Sequence, residues 1–311
     1  MHPPDPSPAL DRIVLGRSYR RAARAVTSFA ALVLPSSCVA CGQEDTSLCP
    51  ACRAAFRRAT ARPFRAEAGA ESLPDVALGP AGLPGPGEGS GPDDGASYGP
   101  LPVVAAGRYR HTVATVLLAY KNHGHVDLAA PVQAALAGAL HEAVAQLDPG
   151  RAGSDPARPV LLVPVPGRAS SRRRRGYDPL LLLLSRLDRT GGLPAGARLA
   201  AGARQMAPAA RLADALARGG PGAALRQALA ARGGSRAGQK GLGRARRRAN
   251  VLHSMRGVSD ARALLAGRDC IVVDDVLTTG ATIGEVHRVL CAAGARVLGA
   301  AVVAATSPPR R

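Results

Sequence analysis

After residue 100, apolar residues recur in two patterns that alternate along the chain. Buried strands, as in a parallel sheet, are predicted by unbroken apolar runs at 101–106, 160–165 and 270–273. Helices are predicted by apolar residues at helical spacing over 117–121, 127–147, 180–187 and 283–293. Strands that alternate with helices in this way predict an α/β domain in which helices flank a parallel sheet.

Two adjacent carboxylates, Asp274 and Asp275, directly follow the apolar run 270–273. Open parallel sheets bind ligands at the carboxyl ends of their strands, so we expect both acids to face a crevice. The turn that comes next is rich in hydroxyl groups and consists of Thr278, Thr279, Gly280, Ala281 and Thr282. This turn opens the helix predicted at 283–293.

The start of that helix is suited to a phosphate group. A helix N-terminus offers unpaired N–H groups and the positive end of its dipole, and Gly280 permits close approach of the backbone. Neighbouring carboxylates would repel a phosphate unless they hold ribose hydroxyls or a bridging metal ion. The pattern therefore predicts a site for a ribose 5-phosphate. The alternative is a buried strand that ends in a solvated acidic turn.

A second anion site is predicted where the strand at 160–165 leads to the helix at 180–187. The connection carries four arginines at 172–175, followed by Gly176. Guanidinium groups match phosphate oxygens in bidentate pairs, so we expect Arg174, Arg175 and Gly176 to hold a pyrophosphate next to the acid pair. A solvated basic loop is the alternative.

Four cysteines near the amino terminus form two Cys-x2-Cys pairs separated by seven residues, namely Cys38, Cys41, Cys49 and Cys52. Two residues between thiols let one turn direct both sulfurs at one metal ion, and four thiolates complete a tetrahedral shell. The spacing predicts a zinc ribbon whose zinc is structural, because no ligand position stays open. Two disulfides in a secreted protein are the alternative, which the spacing and the lack of a signal-peptide pattern disfavour.

Charge and composition narrow the picture further. A net charge of +19 points to anionic partners, whether phosphates, nucleic acid or a membrane surface. Aromatic residues make up only 3%, so the core is expected to consist of Ala, Leu and Val. No apolar stretch is long enough to span a bilayer, which predicts a cytoplasmic protein. An ATPase is excluded, since neither Lys121 nor Lys240 lies in a Gly-Lys-Ser/Thr phosphate loop.

The sequence predicts four segments. Residues 1–35 form a tail and a helix, 36–62 the zinc ribbon, 63–100 a disordered linker rich in Gly and Pro, and 101–308 the α/β domain. Within this domain, an insert at 191–238 is rich in Ala, Arg and Gly, and we expect it to be partly disordered or loosely helical.

The segment 271–282 resembles the signature of the type I phosphoribosyltransferases, which bind phosphoribosyl pyrophosphate (PRPP) with magnesium. Three other segments resemble the ComF family: 163–166 (Val-Pro-Val-Pro), 174–178 (Arg-Arg-Gly-Tyr-Asp) and 239–242 (Gln-Lys-Gly-Leu). That family joins an amino-terminal zinc ribbon to a type I phosphoribosyltransferase domain and is associated with uptake of single-stranded DNA in competent bacteria. Where its members usually have Asn-Gln, this chain has Asp178 and Pro179.

The resemblance implies a type I phosphoribosyltransferase fold and a role for each motif. Asp274 and Asp275 would contact the ribose hydroxyls, and residues 278–282 would wrap the 5-phosphate. PRPP contacts are further expected for Arg174, Arg175 and Gly176. They are also expected for Lys121 and Lys240, the two lysines of a chain with 39 arginines, because both lie in motif-bearing segments; chance survival of these lysines is the alternative. Thr278 stands where the 6-oxopurine enzymes have an acid that handles the base proton, which disfavours purine salvage of that kind.

Two functions follow as hypotheses. The first is a magnesium-dependent phosphoribosyltransferase or PRPP-binding protein of the ComF type, with the link to DNA uptake that the resemblance implies. The second is a non-catalytic module that binds single-stranded DNA through arginine–phosphate contacts. Scarce aromatic residues weaken base stacking as a mode of binding. No residue indicates the acceptor of the phosphoribosyl group.

Overall fold

A computed structural model describes residues 37–78, 97–122, 125–148, 158–167, 176–207, 209–217, 222 and 251–306. Across these residues, none of the helices is both long and apolar enough to cross a membrane. The predicted amino-terminal tail and helix at 1–35 lie outside the described ranges, as do the arginine run 172–175 and Lys240.

Ten strands and six α-helices carry labels here. The strands are β1 (Phe64–Arg65), β2 (Asp75–Leu78), β3 (Ser97–Pro100), β4 (Val103–Arg108), β5 (Val160–Pro164), β6 (Ala197–Leu199), β7 (Ala203–Gln205), β8 (Met255–Gly257), β9 (Asp269–Leu277) and β10 (Arg296–Ala305). The helices are α1 (Pro50–Ala59), α2 (His111–Asn122), α3 (Ala129–Leu147), α4 (Pro179–Arg189), α5 (Ala261–Leu265) and α6 (Ala281–Ala292). Short 3₁₀ turns occupy Glu67–Gly69 and Val126–Leu128.

The central sheet has the strand order β1-β4-β10-β9-β5-β6. All of its pairings are parallel except the antiparallel pair of β1 and β4 at one edge. From β5 the chain moves outward to β6, whereas from β9 it moves the opposite way to β10. The neighbouring strands β5 and β9 therefore flank the topological switch point, where open sheets of this kind bind ligands.

Two apolar layers cover the sheet. Helices α2, α3 and α4 bury their apolar sides on one face, together with Phe56 of α1. On the other face, α5 and α6 pack with Met255 of β8 and with Leu73. The prediction of an α/β fold with a parallel sheet is confirmed, and the layers explain why the strands carry unbroken apolar runs.

The cysteine-bearing segment packs on the main domain rather than standing apart. Leu48 and Phe56 are buried in the same layer as α2 and α3. Close packing is possible because Gly107, near the end of β4, has no side chain: an added Cβ would lie 2.7 Å from the carbonyl oxygen of Ala59. The end of α1 thus rests directly on the edge of the sheet.

Two predicted segments differ from the structure. The disordered linker at 63–100 is wrong for residues 63–78 and 97–100, where β1 pairs with β4 and β2 pairs with β3. The insert at 191–238 is wrong in its first part, because β6 is a strand of the central sheet and β7 pairs with β8. The Gly- and Ala-rich composition of both segments gave no strand pattern to predict from. Short edge strands take their stability from a partner strand rather than from their own residues.

Candidate functional site

The acid pair lies on β9 at the switch point, inside the strand rather than after it. Pairing between β5 and β9 ends at Pro164 and Val273, and the N–H of Val165 makes a last bond to the carbonyl of Val273 at 2.8 Å. Beyond this point β9 continues to Leu277 with β10 as its partner. Asp274 and Asp275 therefore stand on the part of β9 that β5 leaves uncovered.

The two acids are held in place by different contacts. The N–H of Asp275 donates to Oδ1 of Asp274 at 2.8 Å, which satisfies a backbone donor past the end of β5. Lys121, in the last turn of α2, contacts both carboxylate oxygens of Asp275, at 2.9 Å from Oδ1 and 2.7 Å from Oδ2. Lys121 therefore lies at the acid pair and forms an ion pair with Asp275. Its predicted contact with PRPP stays a prediction.

The charges of these three groups are mutually dependent. Burial, and next the charge of Asp275, raise the pKa of Asp274 to about 8, although the charge of Lys121 opposes the rise. Burial lowers the pKa of Lys121, but Asp275 more than compensates and holds that pKa above its usual value. At neutral pH the site therefore holds a proton that a ligand with suitable charge could release.

The turn after β9 ends in a left-handed glycine at the start of a helix. Gly280 adopts φ +84°, a left-handed conformation, and is the N-cap residue of α6. Thr278 is exposed, and Thr279, Ala281 and Thr282 are partly exposed, so the turn is open to solvent. The helix start and the hydroxyls are thus positioned at the same edge of the sheet as the acid pair.

Residues 70–74, which we call the strap, support this turn from one side. The N–H of Ser72 donates to the carbonyl of Thr279 at 2.7 Å, and the strap is anchored in turn by Leu101, whose N–H donates to Pro74 at 2.8 Å. Because a peptide group is planar and trans, a Thr279 carbonyl that points at the strap directs the N–H of Gly280 away from it. The strap therefore orients an amide of the turn.

Two glycines one helical turn apart let the strap approach so closely. A Cβ on Gly280 would lie 2.7 Å from the side chain of Leu73, and one on Gly284 would lie 3.1 Å from the carbonyl oxygen of Ser72. Sequence reasoning missed the strap, because Ser72 and Leu73 fall in the predicted linker. The spacing of the glycines could have indicated a close backbone contact, but not its partner.

The loop after β5 is described only at its two ends, residues 165–167 and 176–178. Arg174 and Arg175 lie outside the described residues, while Gly176 is exposed with φ +76°. Asp178 caps α4 by accepting hydrogen bonds from the N–H groups of Leu180 and Leu181, at 3.1 and 3.4 Å. Asp178 thus performs a capping role that Asn performs equally well, so its departure from the ComF pattern preserves the helix start.

Helix α2 also holds the end of this loop. The hydroxyl of Tyr120 donates to the carbonyl of Pro179 at 2.8 Å, and the next residue, Lys121, contacts Asp275. One turn of α2 therefore links the start of α4 with the acid pair across the switch point.

The four cysteines of the amino-terminal segment form one cluster. The sulfurs of Cys38, Cys41, Cys49 and Cys52 all lie within 4.8 Å of one another, and those of Cys41 and Cys49 are 3.7 Å apart. All four thiols are free rather than joined in disulfides. A tetrahedron with zinc–sulfur bonds of about 2.3 Å has sulfurs about 3.8 Å apart, so the cluster has the dimensions that can hold a metal ion.

The electrostatics of the cluster favour a bound cation. Burial raises the pKa of Cys38, but hydrogen bonds from backbone N–H groups, first that of Cys49, outweigh it and lower the pKa to about 6. The neighbouring sulfurs of Cys49 and Cys41 raise the pKa of Cys52 to about 12. Four thiols so close together cannot all ionise to thiolates unless a positive charge lies between them.

Comparison with known proteins agrees with the carboxyl-terminal site. Residues 224–310 match the family model of the phosphoribosyl transferase domain. The chain is similar to the adenine phosphoribosyltransferase of Mycobacterium sp. (strain KMS), with 54% identity over 39 residues, which are 12% of this chain and 22% of that protein. The enzyme of the same name from Mycobacterium tuberculosis (strain ATCC 25618 / H37Rv) is 56% identical over 39 residues, 12% of this chain and 18% of that protein.

These matches are local, since the chain spans only about a fifth of the length of the curated relatives it matches. The family match includes β9 with its acid pair, the hydroxyl-rich turn at the start of α6, and β10. These findings support a phosphoribosyltransferase-type domain in the carboxyl-terminal part of the chain.

The contact between the strap and Gly280 can be tested by Gly280→Ala. A side chain at this position meets Leu73 and is strained at φ +84°, so we expect a loss of about 2–3 kcal/mol in the free energy of unfolding. Gly267→Ala is the control, because Gly267 has φ +66° with nothing within 4 Å, and about 1 kcal/mol is expected there. If denaturant unfolding gave equal losses of unfolding free energy for the two variants, the contact between the strap and Gly280 would not be the cause of the loss.

The raised pKa of Asp274 predicts a pH dependence of stability. From pH 3.8, the ordinary pKa of the group, to about 8, the folded protein keeps a proton that the unfolded chain releases. The free energy of unfolding therefore falls as pH rises through this window. Asp274→Asn should flatten this slope in unfolding curves measured at several pH values, whereas Asp260→Asn, at an exposed position, should leave it in place.

Proposed function

We propose that the carboxyl-terminal domain binds PRPP and is a magnesium-dependent phosphoribosyltransferase or PRPP-binding protein of the ComF type. The observation that carries this proposal is that the acid pair and the hydrogen-bond donors of the turn 278–282 lie together at the switch point. The carboxylates of Asp274 and Asp275 lie where β5 no longer covers β9, and the amides and hydroxyls of 278–282 follow at the start of α6. The ribose hydroxyls of a ribose 5-phosphate require hydrogen-bond acceptors, and its phosphate requires hydrogen-bond donors.

In this proposal Asp274 and Asp275 accept hydrogen bonds from the ribose 2- and 3-hydroxyls. An ionised carboxylate is the better acceptor, and a diol that donates to Asp274 stabilises its charged form. Lys121 acts as a positioning residue, because its ion pair with Asp275 limits the rotation of that carboxylate. Ribose binding then accompanies release of the proton that Asp274 holds at neutral pH.

The 5-phosphate is proposed to bind the turn 278–282. Amide N–H groups at the start of α6 and the hydroxyls of Thr278, Thr279 and Thr282 supply donors, and the dipole of α6 favours the negative charge. The strap contributes indirectly through Ser72, which fixes the peptide between Thr279 and Gly280. The turn therefore receives the phosphate in a geometry that exists before binding.

The pyrophosphate is assigned to the loop after β5 and to the ComF-like segment 239–242. Arg174, Arg175 and Gly176 follow β5, the neighbour of β9, and Lys240 lies in that segment. When bound, magnesium supplies the positive charge that neutralises pyrophosphate as it leaves the anomeric carbon. The bond from that carbon to pyrophosphate oxygen breaks, and a bond to an acceptor nitrogen forms.

We further propose that Cys38, Cys41, Cys49 and Cys52 bind structural zinc. The support is the sulfur spacing, the absence of disulfides among these residues and the depressed pKa of Cys38. Zinc would fix the start of α1, since Cys49 is its N-cap residue. The ribbon would thereby hold α1 against the edge of the sheet.

Calorimetry with PRPP and magnesium tests the sugar site. Wild type should release heat, and Asp274→Asn/Asp275→Asn should weaken binding by at least about tenfold, because each change removes a carboxylate that is ionised in the proposed complex. Asp260→Asn, at an exposed position, should bind like wild type. Absence of heat from wild type would reject the proposal. Salt-dependent binding of a single-stranded oligonucleotide, undiminished by PRPP, would instead support a DNA-binding module.

Metal analysis tests the ribbon. Protein purified freshly under reducing conditions should contain about one zinc ion per chain, and Cys49→Ser should lose it and lower the melting temperature by several degrees. Cys270→Ser is the matched control, because Cys270 is buried on β9 outside the cluster. A metal-free wild type with an unchanged circular dichroism spectrum would contradict the assignment.

A further inference from the structure

A cavity opens at the end of β4, on the same edge of the sheet as the acid pair. Its volume is about 370 Å³, and its lining includes Arg62, Phe64, Arg108, Arg110 and His111. Strand β10 lies between β4 and β9, so the cavity is one strand removed from the acid-bearing strand. None of the residues proposed for PRPP binding lines it.

The lining of this cavity is strongly basic. Three arginines contribute to it, Arg62, Arg108 and Arg110, and no carboxylate is among the lining residues. On the adjoining segment, Glu67 is engaged elsewhere, since Nε of Arg65 donates to it at 2.9 Å and the N–H of Val103 at 3.2 Å. The residues that line the cavity therefore give it a positive charge.

Helix α2 begins at the cavity and adds to this potential. Residues 111–113 belong to its first turn, and the helix has twelve residues and no acid in that turn. His111 adopts φ +45°, a conformation that residues other than glycine rarely hold. Strain of this kind persists where the surrounding structure enforces it, and it is common at binding sites.

One wall of the cavity is apolar. The ring of Phe64 lies there with Ala59 and Val113, and the guanidinium carbon of Arg108 is 4.9 Å from the ring centroid. An aromatic wall next to cations suits a ligand that has both a planar ring and a phosphate. The volume lies within the range of about 300–1,000 Å³ that is usual for small-molecule sites.

We propose that this cavity binds a nucleotide, with its phosphate at Arg108, Arg110 and the start of α2, and its base against Phe64. The site is independent of the PRPP site, since it uses a different strand, a different helix and different side chains. A free nucleotide and one unit of a single strand offer the same chemistry, a phosphate next to a base.

Calorimetry with 2′-deoxyadenosine 3′-monophosphate in the absence of magnesium tests the site, because this nucleotide has neither the ribose diol nor the 5′-phosphate that the PRPP site is proposed to bind. Arg108→Gln/Arg110→Gln should weaken binding by at least about tenfold, because charged hydrogen bonds to phosphate are lost. Arg198→Gln/Arg262→Gln is the matched control: it removes the same charge at two exposed positions on β6 and α5, and less than a twofold change is expected. Asp274→Asn/Asp275→Asn should also change binding less than twofold.

Three results would overturn the proposal: no binding by wild type, equal weakening by the two arginine pairs, or a larger loss from the acid variant than from the cavity variant. The last result would place the nucleotide at the PRPP site. Thermal unfolding of each variant shows whether a loss of binding reflects a loss of folding.

Phe64→Leu supplies a readout that leaves every charge in place. It should weaken the binding of 2′-deoxyadenosine 3′-monophosphate severalfold and leave the affinity for inorganic phosphate unchanged, and equal effects on both ligands would refute the role of the ring. An oligothymidylate in the same assay distinguishes a single strand from a free nucleotide as the ligand. Binding that fails in the cavity variant identifies strand phosphates as ligands, whereas binding that persists limits the cavity to free nucleotides.

Discussion

The candidate site depends on the unequal lengths of two neighbouring parallel strands. Strand β5 ends at Pro164, and Pro166 follows shortly after; neither proline has an N–H to extend the ladder. Strand β9 continues to Leu277. The difference leaves Asp274 and Asp275 without a neighbour on one side, at the point where the direction of winding reverses. Without this offset both acids would lie inside a continuous sheet.

Two partly buried acids in sequence carry an electrostatic cost, and the structure shows how this cost is limited. Lys121 neutralises Asp275, and the raised pKa of Asp274 keeps that group protonated at neutral pH. The arrangement is stable without a ligand and responsive to one, because a ligand that prefers the ionised form shifts the proton equilibrium. Stability and binding are therefore coupled through the same carboxyl group.

The segment from the cysteine cluster to the strap, residues 38–74, contributes to the site through packing rather than through chemistry. The cysteine cluster sets the start of α1, α1 rests on the edge of β4, and the chain continues through β1 to the strap beside Gly280. From α1 onward, each step is a contact between backbones or apolar side chains. A metal ion in the cluster would act on the turn 278–282 through this sequence of contacts.

The sequence by itself determined the local features: the buried strands, the helix starts, the acid pair and the spacing of the four cysteines. These follow from periodicity, proline and glycine chemistry and ligand geometry, all of which act over a few residues. Only the tertiary structure decided that Lys121 reaches Asp275, that Ser72 and Leu73 support the turn, and that Phe64 and Arg108 line a cavity. The physical reason is that these contacts join residues far apart in sequence, and burial and pairing of short segments depend on partners that no local pattern specifies.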